Sequence, residues 1–186
     1  MLGLIVQLLN KLNMETRIEI IIDDITKQNV DAIVNAANNA LLGGGGVDGA
    51  IHNAAGNELL TECRTLNGCE TGQAKITKGY KLPAKYIIHT VGPIWNGGQN
   101  NENELLANCY KNCLKLAVEN NIKTIAFPSI STGIYGFPID NASEIALNEI
   151  ISFLKENKMI ELVKIVCFGQ NAYNIYNKKY SELNKP

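Results

Sequence analysis

Residues Val34 to Gly49 read V-N-A-A-N-N-A-L-L-G-G-G-G-V-D-G, so asparagines at 35, 38 and 39, four consecutive glycines and Asp48 follow directly on an apolar run. A glycine gives up side-chain burial and costs about 0.5 to 1 kcal/mol of backbone entropy relative to alanine. Four in a row cannot serve a core. They serve close approach of the backbone to something. Upstream, Ala32 to Val34 reads as a short strand, and downstream Gly49 to Ala55 has helical composition. The glycines therefore join a strand end to a helix start, where unhindered N–H groups make a ready anion site. No Gly-Lys-Ser/Thr follows and the spacing is not G-x-G-x-x-G, which excludes the P-loop and the dinucleotide fingerprint. A flexible linker is the plain alternative, and the apolar flanks disfavour it.

The same alternation of elements runs through the chain. Isoleucines 18, 20 and 22 alternate along Arg17 to Ile22, the period of a strand with one buried face. Asp24-Ile25-Thr26 breaks it. A helical patch over Leu59 to Leu66 precedes strands at Ala74 to Thr77 and Tyr86 to Val91. Gly97 to Asn103 reads as a polar surface loop, and Glu104 to Glu119 as an amphipathic helix. Thr124 to Phe127 is a buried strand, Asp140 to Lys155 a helix, Leu162 to Phe168 a last apolar strand and Tyr173 to Leu183 a closing helix. Strands alternating with helices predict an α/β fold, a mostly parallel sheet covered on both faces.

With 186 residues and 46% hydrophobic content, the composition is that of one globular domain. A net charge of −1 gives no global reason to expect nucleic acid or an anionic membrane as partner. Any phosphate must be held locally. The five cysteines are odd in number and include no CxxC pair, so they read as reduced, cytoplasmic thiols rather than a disulfide framework or zinc ribbon. Cys109 and Cys113 share a helix face, as a metal pair or, as this spacing favours, as packed core thiols. With two histidines in the chain, no metal site is expected. The apolar run in residues 1–13 is too short for a membrane span and lacks the marks of a signal peptide. Met14 opens the regular alternation and is an alternative start. Asn141-Ala142-Ser143 matches a glycosylation acceptor that an unsecreted chain never uses.

In sheets of this kind, ligands sit outside the carboxyl ends of the strands. Asp24-Ile25, Asn38 to Asp48, Ser131 to Gly136 and Phe168-Gly169 all occupy that position. The loop S-T-G-I-Y-G, residues 131–136, is a second cradle. Glycines 133 and 136 free backbone amides, and Ser131 and Thr132 supply hydroxyls. A tight turn is its plain reading. Two such loops suggest a diphosphate gripped from both sides, hence a nucleotide-like ligand. Asp48 falls in the first turn of its helix, where a carboxylate often only caps. Beside Asn35, Asn38 and the glycines, an acceptor facing the ligand is the better reading. Asp24 is either a turn residue or an acceptor for an exocyclic amine. His52 lies one turn from Asp48, as an Asp-His partner or, on its apolar flanks, a buried structural histidine; His89, within a strand, is read the same way.

The ordered run V-D-A-I-V-N-A-A-N-N-A-L-L-G-G-G-G-V-D-G-A-I-H-N-A-A-G, with D-I-T before it and T-G-Q-A-K-I-T, H-T-V-G-P-I-W and I-S-T-G-I-Y-G-F-P after it, closely resembles macrodomains of the MacroD type. The likeness extends from about Arg17 to Tyr176. It implies a three-layer α/β/α sandwich around a mixed, mostly parallel sheet, a single macrodomain over residues 14–186 behind an N-terminal extension of residues 1–13, and ADP-ribose as ligand. By motif, Asp24 would receive the adenine amine, with Ile25 beside it and Phe168 near the ring. Gly45, Gly46 and Val47, with Ser131, Thr132, Gly133, Ile134, Tyr135 and Gly136, would hold the diphosphate and distal ribose. Asn38 and Asp48 are the positions associated with hydrolysis.

The resemblance thus implies a monomeric ADP-ribosyl hydrolase without a cofactor. It would remove mono-ADP-ribose from Asp/Glu of modified proteins and deacetylate O-acetyl-ADP-ribose. A non-catalytic reader of ADP-ribose marks is the alternative. Asn53 departs from the arginine common after the histidine, and a change of solvent-facing side chain is expected there. Mechanistically, Asp48 would orient or partly deprotonate a water, with Asn38 fixing the ribose. A carboxylate at a helix N-terminus is stabilised in its charged form and makes a weak base. Orientation is expected to matter more than proton abstraction, and a water held by the ligand's own diphosphate is the other route.

Overall fold

The computed structural model describes residues 17–183. The chain order is β1 (Ile18–Ile22), a 3-10 turn (Ile25–Lys27), β2 (Ala32–Ala37), α1 (Gly46–Ala55), α2 (Asn57–Thr65), β3 (Ala74–Lys78), β4 (Tyr86–Val91), α3 (Glu102–Glu119), β5 (Thr124–Phe127), α4 (Ile139–Glu156), β6 (Leu162–Cys167) and α5 (Gln170–Leu183). The leader expected over 1–13, and Met14, lie outside the described residues. The strands form one sheet in the order β1-β6-β5-β2-β4-β3. Every pairing is parallel except β3 with β4, giving the mixed, mostly parallel sheet expected.

Period-2 alternation decides which helices cover which face. Val34, Ile88, Ile125, Phe127 and Ile165 pack with the buried stripe of α3 (Leu106, Cys109, Tyr110, Cys113, Leu114), with α4 (Ala146, Leu147, Ile150, Leu154) and with Tyr176 of α5. Their strand neighbours Ile33, Ala37, Ile87, Ala126 and Val166 point the other way, onto Ile51 and Ala55 of α1 and Leu59 and Cys63 of α2. The result is the three-layer sandwich. Ile18 and Ile20 follow the expected alternation, but Ile22 is 46% exposed, because β1 is an edge strand and its end reaches the rim of the sheet.

Polar anchors tie the crossovers. The buried Arg17 guanidinium donates to the carbonyls of Leu154, Asn157 and Ile160, closing the turn from α4 into β6. The Asp31 carboxylate accepts from the amides of Lys123 and Thr124 and from Lys85 Nζ, each at 3.1 Å, which locks β2 beside β5. The segment read as a loop over Gly97 to Asn103 gives up its last two residues to α3. Glu102 starts the helix, and its buried carboxylate reaches back to the amides of Asn96 (3.0 Å) and Gly98 (3.2 Å) and to that of Asn100. No helix among the described residues is long and apolar enough to cross a membrane.

Candidate functional site

The loops leaving the carboxyl ends of β1, β2, β5 and β6 enclose a cleft of about 560 Å³, within the range of small-molecule sites. Asp24, Ile25, Asn38, Gly45, Gly46, Val47, Asp48, Ser131, Thr132, Gly133, Ile134, Tyr135 and Phe168 all line it. Gly136 does not. It stands behind the wall at φ +66°, donating its amide to Gly133 O at 2.9 Å, so it shapes the second loop rather than touching the cleft.

The glycine run does more than lead into α1. The helix begins at Gly46, so Val47 and Asp48 stand in its first turn with N–H groups that have no intrahelical acceptor. Gly46 has φ +60°, with open space where a side chain would be. Gly49 is required by packing, since a Cβ there would lie 2.5 Å from Gly44 O. Across the cleft, Ile134 Cδ1 would be 3.6 Å from a Cβ on Gly45, so the two small-residue loops face each other.

In the second loop, the amides of Thr132, Gly133, Ile134 and Tyr135 donate to no acceptor among the described residues. Together with the first turn of α1 they give two sets of donors on opposite walls. The expectation of two available hydroxyls needs correction. Thr132 Oγ1 spends its hydrogen on Ser129 O at 3.0 Å, because this bond closes the turn. Ser131 Oγ is buried without a partner among the described residues, and the residue sits at φ +65°, a conformation uncommon outside glycine.

Asp48 is 3% exposed. Its Oδ1 accepts from Asn35 Nδ2 at 2.8 Å, and Asn38 Nδ2 lies 3.5 Å from Oδ2. Asn38 is mainly a clamp on its own loop, donating to Gly43 O at 2.9 Å and accepting from the Ala40 amide at 3.0 Å. His52 Nε2 is 3.5 Å from Asp48 Oδ1 but makes no hydrogen bond among the described residues, so it packs beside the carboxylate without gripping it. Asn35 belongs to the site, whereas in the sequence it stands only as a neighbour; its place in the N-A-A-N spacing, three residues before Asn38, is the available signal.

His89 is fully buried, which drives its pKa down to about 3, with His52 nearby adding to the effect; it is therefore neutral. His52, Cys63 and His89 each offer one ligand atom within 4.8 Å of the others. Holding a thiophilic ion there would require His89 to surrender Nε2, which bonds Thr77 Oγ1 at 2.9 Å, and Cys63 to ionise although burial raises its pKa to about 11. Cys109 and Cys113 are packed thiols, with Cys109 Sγ donating at 3.3 Å to the carbonyls of Val91 and Leu105.

At the other end, Asp24 Oδ1 caps the 3-10 turn through the Thr26 amide (2.8 Å) and hydroxyl (2.7 Å), while Oδ2 carries no hydrogen bond among the described residues. The turn reading of Asp24 therefore holds for one of its two oxygens. β6 ends one residue before the expected Phe168, and the released ring is 99% exposed at the cleft mouth. Asn53 faces solvent.

The Macro domain family profile matches residues 34–146. A Macro domain-containing protein of Methanosarcina mazei is 60% identical over 167 residues, covering 90% of this chain and 89% of that one. The ADP-ribose glycohydrolase MACROD2 of Homo sapiens is 60% identical over 161 residues, covering 86% of this chain and 38% of that longer protein. A solved macrodomain of Oceanobacillus iheyensis with ADP superposes with a TM-score of 0.88 at 51% identity, covering 92% of this chain and 94% of that one.

Proposed function

The chain belongs to the macrodomain family, and from that premise we propose that it binds ADP-ribose and hydrolyses the bond joining a single ADP-ribose unit to Asp or Glu side chains of modified proteins. Deacetylation of O-acetyl-ADP-ribose is the same ester chemistry on a smaller acyl group. The observation that carries this reading is Asp48: a buried carboxylate at a helix N-terminus, oriented by Asn35 and bordering the cleft between two loops of free amides.

In this assignment the adenine lies between Ile25 and Phe168, with Asp24 Oδ2 accepting its exocyclic amine. The diphosphate sits between the first turn of α1 and the amides of residues 132–135, which need no basic side chain to neutralise it. The distal ribose then meets Asn38 Oδ1, which retains a second lone pair, and Asp48. With Oδ1 held by Asn35, Asp48 is oriented to position water or sugar. Water adds to the acyl carbon and the ribose oxygen leaves, or it adds to the anomeric carbon and the carboxylate leaves. Reaction in ¹⁸O water separates the two, placing label in the carboxylate or in ADP-ribose.

The test is release of free ADP-ribose from a protein mono-ADP-ribosylated on glutamate, run beside a serine-linked protein, O-acetyl-ADP-ribose and ADP-ribosylated DNA. Release from the glutamate ester and the acetyl ester is expected. Tight binding of ADP-ribose with no release from any of them would make the protein a reader of the mark instead.

A further inference from the structure

Behind Asp48 runs a chain of hydrogen bonds through Asn35, His89 and Thr77, with Cys63 Sγ standing 3.8 Å from His89 Nε2 at its far end. Thr77 Oγ1 lies 3.3 Å from Lys78 O and 2.9 Å from His89 Nε2. A carbonyl only accepts, so the single hydroxyl hydrogen goes to Lys78 O and Oγ1 accepts from His89 Nε2–H. Since His89 is neutral, Nδ1 is then bare, and it accepts from Asn35 Nδ2 at 3.1 Å. The second hydrogen of that amide goes to Asp48 Oδ1.

The opposite tautomer fails. A hydrogen on Nδ1 would face the Asn35 NH₂ donor to donor, and turning the amide over would aim its carbonyl oxygen at the Asp48 carboxylate. Asn35 Oδ1 is buried and unpartnered among the described residues, a state that costs about 1 to 3 kcal/mol. The amide keeps this orientation despite that cost because Asp48 on one side and His89 on the other both demand its hydrogens. The sheet register makes the chain possible. Asn35 stands opposite His89 on the neighbouring parallel strand, and Thr77 stands opposite Ile87, one repeat along the same face. All three side chains are at least 98% buried.

We propose that His89 is a positioning residue for hydrolysis: held in its Nε2–H tautomer by Thr77, it fixes the Asn35 amide that in turn aims Asp48 into the cleft. The proposal rests on the hydrolase reading above. Neither His89 nor Thr77 lines the cleft, so neither touches the ligand.

The experiment compares Thr77→Val, which keeps the volume and removes the acceptor, with Thr77→Ser, which restores it. Thr77→Val is expected to lower kcat about 10-fold, the scale of a small misplacement of a reacting group, while the Kd for ADP-ribose shifts less than twofold; Thr77→Ser should recover most of the rate. His89→Asn, whose amide oxygen takes the place of Nδ1, should retain more activity than His89→Leu. A long-range ¹⁵N spectrum of the unmodified protein reads the tautomer directly and does not depend on any variant folding. Full kcat in Thr77→Val, or a hydrogen on Nδ1, overturns the proposal. If the unmodified protein releases no ADP-ribose, the hydrolase reading falls first, and the positioning role with it.

Discussion

The two ends of the cleft are built in opposite ways. At the Asp48 end the decisive side chains are buried and bonded before any ligand arrives: Asp48 is 3% exposed, and Asn35 and His89 not at all. At the Phe168 end the ring is 99% exposed and Asp24 keeps one oxygen uncommitted. The difference follows from what each end has to do. Bond breaking needs groups held within a fraction of an ångström of the reacting atoms, which only a packed, hydrogen-bonded surround provides. Stacking a base tolerates order acquired on binding, since the gain comes from area covered.

Three substitutions test that contrast. Asp48→Asn should have the largest effect. It keeps the shape but removes the charge, and kcat is expected to fall about 100-fold or more while the Kd for ADP-ribose changes little. A loss of affinity with kcat unchanged would mean that Asp48 is only a binding group and that the two ends do not differ in kind. Gly49→Ala attacks the rigidity of the same end by driving a methyl group toward Gly44 O. A loss of about 2 kcal/mol in unfolding free energy is expected, measured by denaturant titration. An unchanged midpoint would show that the glycine loop yields freely and that this end is not rigid. Phe168→Ala should leave stability untouched, because nothing packed is removed. Its effect belongs in affinity alone, about 10-fold in Kd by calorimetry, in line with base stacking worth about 1 to 3 kcal/mol.

This contrast also explains what could be read from the sequence. Residues 34–49 announced a strand, a glycine loop and a helix start, because those features are local: hydrophobic runs, glycine chemistry and a carboxylate in a first turn. The convergence of Asp24, Asp48, Ser131 and Phe168 was legible from one rule about strand ends. The chain from Thr77 through His89 to Asn35 was not, since it depends on the register of three strands, two of them adjacent only through a long crossover. His89 taken alone reads as a core histidine, and it is one. The engagement of the Thr132 hydroxyl is hidden for a similar reason, because its turn bond to Ser129 O competes with any ligand, and that geometry exists only once the turn is folded. Glu102 reads as loop because nothing in its own sequence shows that three amides upstream need an acceptor.

Glu102 supplies the smallest test, and one that reaches the second loop. Burial alone would raise its carboxyl pKa, but the amides of Glu102 itself, Asn100, Asn96 and Gly98 outweigh that and hold it below its ordinary value. Asp31 is lowered in the same manner, burial being overcome by Lys85 and the amides of Lys123 and Thr124. A carboxyl whose pKa is depressed by folding contributes stability above its ordinary pKa and loses it as pH falls through the depressed value. Thermal stability should therefore decline below about pH 4.5, and Glu102→Gln should be less stable at neutral pH with a shallower acid decline. The loop that Glu102 holds leads back to Trp95, which donates its amide to Tyr135 O at 2.9 Å and packs tilted against Phe137, ring centroids 4.6 Å apart. Loosening it should weaken the wall of free amides before it disturbs Asp48. In Glu102→Gln the Kd for ADP-ribose should rise more than kcat falls; a change confined to kcat would mean that the second loop is anchored to the chemistry at Asp48 rather than to α3.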